Sequence, residues 1–251
     1  MPRSRSAATE MESLRATVMR GYDTDEYRIV QNAAKTVLAQ LGPTIRPNDT
    51  EATLAERAAD LLADMGFPDT WYYTCPALVL LGSRSCVSLT GRDYVPGNEQ
   101  VGDFNLVTVD LSPVRGDIWG DCARSFCIEH GRFTKSPRAQ EFIDGLAIEA
   151  ALHTFLRSFA RPQMTFDALF RGANARITSA GFENLDFQGN VGHSIERQRS
   201  DRKFIERENL QLLGDVACFT FEPHIRKRGG SWGFKYENIY YFADDGTVEE
   251  L

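Results

Sequence analysis

The sequence lacks the features that mark several classes of protein. It has no run of about 18 consecutive apolar residues, the length that a membrane-spanning helix requires. Basic residues near its start are followed by no apolar core, so we expect no secretory signal. The net charge of -7 disfavours a general nucleic-acid-binding protein. We therefore expect neither a membrane nor a nucleic acid among the partners.

Cysteine is scarce and irregularly placed. The five cysteines are odd in number and show no CxxC spacing, which argues against a disulfide framework or a zinc ribbon. Free thiols are typical of a reducing compartment, so the sequence predicts a cytoplasmic protein. Its 251 residues, of which 42% are hydrophobic and 25% charged, suffice for one large globular domain or two modest ones.

Local patterns predict a polar arm over residues 1–21 and an α/β domain over residues 22–251. Helical spacing and N-capping threonines predict a helix from Asp23 and helices at Thr50–Met65, Gln140–Phe159 and Thr165–Ser179. In the first helix the apolar residues that recur at this spacing are Ile29, Ala33, Val37 and Leu41. Apolar and β-branched runs predict strands at 79–81, 86–89 and 105–109, and a strand-rich segment at 216–242.

The two halves of the sequence repeat each other. One block recurs 115 positions later: Arg46-Pro47, Thr50 and Gly66 return as Arg161-Pro162, Thr165 and Gly181. A second block recurs 112 positions later: Gly102-Asp103 and Asp110 return as Gly214-Asp215 and Glu222. Helix caps and glycine stops also repeat by chance. Two blocks at constant offset in the same order nevertheless favour an internal duplication with pseudo-two-fold symmetry.

Acidic residues lie at the ends of predicted strands in both halves. Asp110 ends an apolar run, and Asp121 opens the return strand. Burying such carboxylates is costly unless a partner neutralises them, although a surface hairpin or a salt-bridged pair would also account for both. The duplication makes Glu222 the counterpart of Asp110 and Glu237 that of Asp121. A two-fold axis would bring these four carboxylates together, and because like charges repel, such a site requires cations.

One histidine completes a candidate metal site. His193 lies in the segment 189–195, where flanking glycines let a ligand approach closely. A lone histidine is often structural, but its position ahead of two of the acids favours a metal ligand. Carboxylates combined with an imidazole suit Mn, Fe, Co or Zn. His130 and His153 have weaker cases, and His224 is either a supporting polar group beside the site or an exposed residue.

These residues are arranged as in a known family. The family's five metal-ligand positions match Val109-Asp110, Gly120-Asp121-Cys122-Ala123-Arg124-Ser125-Phe126, Gly192-His193, Phe221-Glu222-Pro223 and Tyr236-Glu237-Asn238 in order and approximate spacing. The sequence therefore resembles the methionine aminopeptidase, prolidase and creatinase family, and most of all the catalytic domain of Xaa-Pro aminopeptidases. The resemblance covers residue 22 to the C-terminus. It implies the pita-bread fold, an internally duplicated α/β architecture.

The resemblance also implies a dinuclear metal centre and a hydrolytic reaction. By it, Asp121 and Glu237 bridge two divalent ions, Asp110 completes one of them, and His193 with Glu222 completes the other. Glu222 would also act as the catalytic general base. The ions, of Mn, Fe, Co or Zn, would activate water and polarise an amide carbonyl next to a peptide N-terminus.

The sequence departs from the family at two histidines that help bind substrate and move protons. Thr90 and Ser200 stand where family aminopeptidases place them. Arg92 lies near the first position, and Arg197, Arg199 and Arg202 lie near the second. These arginines either bind an anionic substrate or are solvated loop charges. We predict Thr90, Arg92 and Ser200 as substrate-binding residues.

Three hypotheses for function follow. The first is a dinuclear hydrolase of the aminopeptidase or prolidase type that cleaves Xaa-Pro-like peptides. The second is a metalloenzyme of the same fold that acts on a non-peptide small molecule by hydrolysis or elimination, which the missing histidines favour. The third is a non-catalytic binding module, which the retention of all five ligands disfavours. A homodimer is compatible with each.

Overall fold

The computed structural model describes residues 24–251, so the arm predicted at residues 1–21 lies outside the described residues. The helices are α1 (Thr24–Leu41), α2 (Glu51–Asp64), α3 (Gln140–Phe159) and α4 (Phe166–Ser179). These bounds confirm the predicted helices to within one or two residues at each described end. Within the described range, no helix combines the length and apolar character needed to cross a membrane.

The first half packs α1 and α2 against an antiparallel sheet. Its strands in chain order are β1 (Ala77–Leu81), β2 (Phe104–Leu111), β3 (Val114–Arg115), β4 (Ile118–Trp119), β5 (Cys122–Glu129) and β6 (Arg132–Thr134). The sheet has the order β1-β2-β5-β6, while β3 and β4 form a small hairpin between β2 and β5. Val37 of α1 and Leu54 of α2 share a buried cluster with Val79 and Val107 of the sheet.

The second half packs α3 and α4 against a second antiparallel sheet. Its strands are β7 (Phe182–Asn184), β8 (Ser194–Ile195), β9 (Cys218–Phe221), β10 (His224–Lys227), β11 (Gly233–Lys235), β12 (Asn238–Phe242) and β13 (Val248–Glu250). One sheet has the order β13-β12-β9-β8, and a smaller one has the order β11-β10-β7. Leu156 of α3 and Leu169 of α4 share a buried cluster with Phe219 and Tyr240.

The two halves have the same topology, as the sequence repeat predicts. The order β1-β2-β5-β6 corresponds strand by strand to β8-β9-β12-β13. Thr50 caps α2 and Thr165 caps α4, each by accepting a hydrogen bond from the backbone N–H three residues on. Each capping threonine also forms an isolated β-bridge: Thr50 pairs with Gln100, ahead of β2, and Thr165 pairs with Leu212, ahead of β9. The bridged partners are again 112 positions apart.

One predicted strand is wrong. At Cys86–Leu89 there is no strand; the chain forms a 3₁₀ turn over Gly82–Cys86 and then runs irregularly. The first residue of this turn has a φ of +61°, which leads the chain out of β1. Ser85 is fully buried, where its carbonyl accepts a hydrogen bond from His224 Nε2 and its hydroxyl accepts one from the Gly233 N–H. These tertiary contacts override the local β propensity.

The buried face of α1 also differs in part from the predicted spacing. Ala33, Val37 and Leu41 are buried, whereas Ile29 is 46% exposed. A fully buried glutamine, Gln31, shares the inner face of the helix. A buried amide needs hydrogen-bond partners, and these partners lie at the candidate site described below.

We predict that the threonine cap of α4 contributes measurably to stability. Thr165→Ala removes the hydroxyl that accepts the Ala168 N–H at 3.1 Å, so the free energy of unfolding should fall by about 1 kcal/mol. Thr165→Ser keeps an oxygen acceptor and should cost much less. Urea unfolding of both variants measures the difference, and equal stabilities would contradict the assignment of the cap.

Candidate metal centre

The fold places the predicted acidic residues at the junction of the two sheets. Asp110 lies in β2, paired with Leu78 of β1 and Ala123 of β5. Asp121 directly precedes β5, and Glu237 directly precedes β12. The Glu237 N–H donates to the Ala123 carbonyl at 3.0 Å. This bond joins the two halves at the point where their acidic residues meet.

Gln31 fixes the backbone at Asp121. Its amide nitrogen donates to the Asp121 carbonyl at 2.8 Å, and its amide oxygen accepts the Asp121 N–H at 2.8 Å. The two bonds satisfy the buried glutamine. They also hold this segment in register beneath α1, so the Asp121 side chain is directed from a rigid backbone.

Three carboxylates form a group that could hold a metal ion. Oxygen atoms of Asp110, Asp121 and Glu237 lie within 4.8 Å of one another. Glu237 is fully buried, and neither of its carboxylate oxygens has a hydrogen-bond partner among the described residues. Buried polar atoms of native proteins normally have such a partner. The unsatisfied oxygens and the oxygen-rich donor set therefore fit a divalent cation.

His193 faces the same group from the second half. Its Nδ1 lies 2.9 Å from the Ser194 carbonyl oxygen, which can only accept, so Nδ1 carries the proton of the neutral ring. Nε2 lies 3.4 Å from Asp121 Oδ2 and 3.7 Å from Glu222 Oε1, and in the neutral ring it would offer a lone pair to a metal ion. A backbone carbonyl that fixes the opposite ring nitrogen is a common arrangement for a metal-ligating histidine.

A lysine that we did not predict lies inside the carboxylate group. Lys235 Nζ is 2.7 Å from Asp110 Oδ2, 2.9 Å from Glu222 Oε2 and 3.6 Å from Glu237 Oε2. The salt-bridged alternative considered for Asp110 is thus present in this structure. No strand pattern marks this lysine, because it ends β11 whereas Glu237 lies outside any strand, just ahead of β12.

The charges of the group depend on one another. Burial and the neighbouring Asp121 and Glu222 raise the pKa of Glu237 well above its usual range. Burial raises the pKa of Asp121 to about 6, although its hydrogen bond with His193 opposes the rise. Burial would also raise the pKa of Glu222, but the Lys235 ammonium and His193 lower it to about 2. Without further cations, the group therefore favours protonation of Glu237 and Asp121 over full ionisation.

A cavity of about 350 Å³ opens onto this group. Its aromatic lining includes Trp71, Tyr72, Tyr73 and Phe204. Trp71 stacks on Trp119 with ring centroids 4.6 Å apart and meets the His193 ring edge-on at 5.7 Å. The aromatic wall therefore ends at the candidate ligands. Such a mostly apolar cavity with convergent polar groups is typical of a small-molecule site.

Of the three predicted substrate-binding residues, one lines this cavity, one contacts its lining and one is not among its lining residues. Thr90 lines it, and its hydroxyl donates to Asp93 at 2.7 Å. Arg92 is exposed and stacks on Tyr73 with its guanidinium 4.8 Å from the ring centroid. Ser200 is exposed in a 3₁₀ turn, and its hydroxyl donates to Asp201. Their roles in substrate binding stay predictions.

Two further charged residues line the cavity, and of these the sequence analysis considered only Arg202, as one of the arginines that either bind an anionic substrate or are solvated loop charges. Arg202 lines the cavity, with its guanidinium 5.0 Å from the Phe204 ring centroid and 5.2 Å from that of Trp71. Asp186 also lines it, accepting hydrogen bonds from the Ser88 hydroxyl and the Phe187 N–H. No local sequence pattern distinguishes Asp186 from an ordinary loop aspartate.

The other buried histidines have structural partners. His224 lines the cavity, and its Nε2 lies 2.6 Å from the Ser85 carbonyl oxygen; burial lowers its pKa to about 4. Of the alternatives considered for His224, the structure therefore shows a buried polar residue beside the site. His153 of α3 contacts the Tyr240 hydroxyl through Nδ1 and the Tyr236 carbonyl through Nε2.

Comparison with protein families identifies this architecture. The chain belongs to metallopeptidase family M24, whose family model matches residues 25–244. The match confirms the family to which the five-part motif pointed. No curated protein matches the sequence significantly.

Several solved structures of similar fold are named as peptidases. An X-Pro aminopeptidase from Thermotoga maritima has a TM-score of 0.74 at 18% identity, covering 90% of this chain and 59% of that one. A prolidase from Pyrococcus furiosus has a TM-score of 0.71 at 18% identity, covering 91% and 64%. A dipeptidase from Pyrococcus horikoshii has a TM-score of 0.74 at 14% identity, covering 98% and 64%. These likenesses confirm the pita-bread fold, and this chain spans about three fifths of each relative.

We predict that metal binding weakens as the pH falls below about 6. In the metal-free protein the Asp121 carboxyl has a raised pKa of about 6, so below that pH a bound proton competes with a metal ion. Each pH unit below this value should weaken Mn²⁺ binding by about tenfold for every proton displaced. Calorimetric titration with Mn²⁺ between pH 5 and 8 measures the dependence. A dissociation constant that does not change between pH 5 and 7 would contradict the prediction.

Proposed function

We propose that this protein is a dinuclear metal-dependent hydrolase of the aminopeptidase or prolidase type, which cleaves an amide bond at the N-terminus of an Xaa-Pro-like peptide. One observation carries the proposal: a buried, incompletely satisfied carboxylate group with an adjacent imidazole opens onto a cavity of about 350 Å³. Membership of a metallopeptidase family supports the same conclusion.

The family resemblance implies how the proposed ligands would divide between two ions. Asp121 and Glu237 would bridge both ions, Asp110 would complete one, and His193 with Glu222 would complete the other. When bound, two such ions activate a water molecule and polarise the scissile carbonyl. Mn, Fe, Co and Zn all accept this set of oxygen and nitrogen donors.

Glu222 is the proposed general base. Its Oε1 accepts a hydrogen bond from the Thr220 hydroxyl at 3.1 Å, and the same hydroxyl accepts the His193 N–H at 3.0 Å. Thr220 thus orients Glu222 relative to His193. Burial would raise the pKa of Glu222, but the Lys235 ammonium and His193 lower it to about 2. An ionised carboxylate there could accept a proton from water and deliver it to the leaving amine.

The cavity suits a short peptide. The aromatic rings of Trp71, Tyr72 and Phe204 supply an apolar wall for a side chain or a proline ring. Asp186 offers a carboxylate to a substrate ammonium group. Arg202 offers a guanidinium to a substrate carboxylate. A dipeptide or tripeptide carries all three features.

The second candidate is a non-peptide anionic substrate. Thr90 and Ser200 replace the two family histidines, and arginines collect on the same side of the site. The Arg199 guanidinium lies 3.5 Å from the Tyr73 ring centroid, and that of Arg92 lies 4.8 Å from it. This cationic rim would favour a carboxylate-bearing or phosphate-bearing small molecule. A non-catalytic binding module is disfavoured because the complete ligand set is retained.

The proposed location is the cytoplasm. The five cysteines are free thiols, as expected in a reducing compartment. The proposed partner is the peptide or small-molecule substrate itself. A homodimer stays compatible with the proposal.

The proposed function predicts manganese-dependent hydrolysis of Xaa-Pro dipeptides and tripeptides, which a coupled assay for released amino acids can measure. Asp121→Asn should reduce kcat/KM by more than about a hundredfold because it removes a bridging carboxylate. Asp117→Asn changes an exposed aspartate in the nearby β3–β4 hairpin and should leave activity unchanged.

Three results would count against the peptidase assignment. The first is an absence of turnover of any Xaa-Pro peptide by the manganese-loaded protein. The second is turnover that survives Asp121→Asn. The third is faster turnover of small anionic esters or amides than of peptides, which would favour the second candidate.

A further inference from the structure

A second cavity lies behind the carboxylate group. Its volume is about 320 Å³, and it is lined by residues of α3 together with Ser125, Tyr236 and Tyr240. Lys235 lines both this cavity and the larger one that holds the candidate ligands. The lysine side chain therefore stands between two cavities, only one of which has a role in the proposed chemistry.

The second cavity contains a buried carboxylate that has no hydrogen-bond partner among residues 24–251. Glu149 of α3 is 2% exposed, and neither of its oxygens has a hydrogen-bond partner within the described part of the chain. Burial raises its pKa well above the usual range, and the nearby Lys235 charge opposes the rise. An isolated buried carboxyl costs stability unless a cation or donor reaches it in some state of the protein.

The other polar groups of this cavity are engaged with partners that also line it. Both ring nitrogens of His153 have partners, the Tyr240 hydroxyl and the Tyr236 carbonyl. Arg157 pairs with Glu250. The Thr154 hydroxyl donates to the Ala150 carbonyl at 2.9 Å. Lys235 is the cation of this cavity whose present partners lie outside it.

The present partners of Lys235 are the proposed metal ligands. Its ammonium pairs with Asp110 and Glu222 at 2.7 and 2.9 Å, and so supplies positive charge to a group that needs it. Divalent ions on the same carboxylates would take these oxygens and repel the ammonium, because like charges at such separations are strongly unfavourable in a buried site.

We propose that Lys235 is a built-in counter-ion that exchanges with the metal: it neutralises the carboxylate group in the metal-free protein and moves to Glu149 when divalent ions bind. The exchange rests on the metal centre of the proposed function, but not on any particular substrate. It assigns Glu149 as the acceptor of the displaced ammonium, so the second cavity would receive the lysine side chain when metal binds. Both charges are then paired in the metal-bound state.

The backbone of Lys235 supports a movement of the side chain alone. Its N–H donates to the Ser125 hydroxyl at 2.9 Å, and its carbonyl accepts from the same hydroxyl at 3.2 Å. The preceding residue, Phe234, is fully buried in a cluster that includes residues of α3. The strand is thus fixed on both sides of the lysine, whereas its long side chain rotates about four single bonds.

A double-mutant cycle on Mn²⁺ affinity, measured by equilibrium dialysis and elemental mass spectrometry, tests the exchange. Glu149→Gln should weaken Mn²⁺ binding on the order of tenfold, since the displaced ammonium would then lack a charged partner. Lys235→Met should tighten binding, since no ammonium competes for the carboxylates. In the Lys235→Met background, Glu149→Gln should have no further effect. Glu56→Gln, an exposed glutamate of α2, controls for the loss of one negative charge.

The outcomes separate the exchange from the metal centre. An effect of Glu149→Gln that persists undiminished in Lys235→Met, or that equals the effect of Glu56→Gln, would overturn the exchange while leaving the centre intact. Absence of Mn²⁺ binding by wild type and Lys235→Met alike would overturn both.

A crystal structure of the Mn²⁺-loaded wild-type protein provides a test that needs no variant. We expect Lys235 Nζ at about 3 Å from a Glu149 oxygen. An ammonium that still contacts Asp110 and Glu222 in the metal-loaded crystal would overturn the exchange.

Discussion

The main physical constraint on this structure is the mutual repulsion of buried carboxylates at the junction of its two halves. Asp110, Asp121, Glu222 and Glu237 converge in a largely buried region, where like charges interact more strongly than at the surface. The fold tolerates this arrangement only with added positive charge. Lys235 supplies one such charge, and the unsatisfied oxygens of Glu237 indicate that more is needed. A functional requirement for cations is thus built into the core.

The internal duplication explains how one chain assembles this site. Asp110 lies near the end of β2 and Glu222 directly follows β9, while Asp121 directly precedes β5 and Glu237 directly precedes β12. The pseudo-two-fold relation therefore brings two proposed metal ligands from each half to the same place. The two halves do not contribute equally to the site, because His193 and Lys235 both belong to the second half. Gln31 of α1 then fixes Asp121 through two backbone hydrogen bonds, which couples the helical layer to the geometry of the site.

The sequence predicts features that local chemistry determines and fails where long-range contacts decide. Thr165 and the glycine at position 181 mark the two ends of α4 because capping and positive φ are local requirements. The strand predicted at Cys86–Leu89 is wrong because Ser85 is held by His224 and Gly233, which are far away in the chain. Lys235 and Glu149 were missed for a related reason. Each reads as an ordinary charged residue until the fold shows which cavity it enters.

The central claim is that the carboxylate group is a site for two divalent ions, and metal stoichiometry tests it most directly. The protein would be purified without chelator, loaded with Mn²⁺, dialysed, and assayed for bound metal by elemental mass spectrometry. Our account predicts two ions per chain, both lost when Asp121 is replaced by alanine. A wild-type chain that retains one ion or none would contradict it.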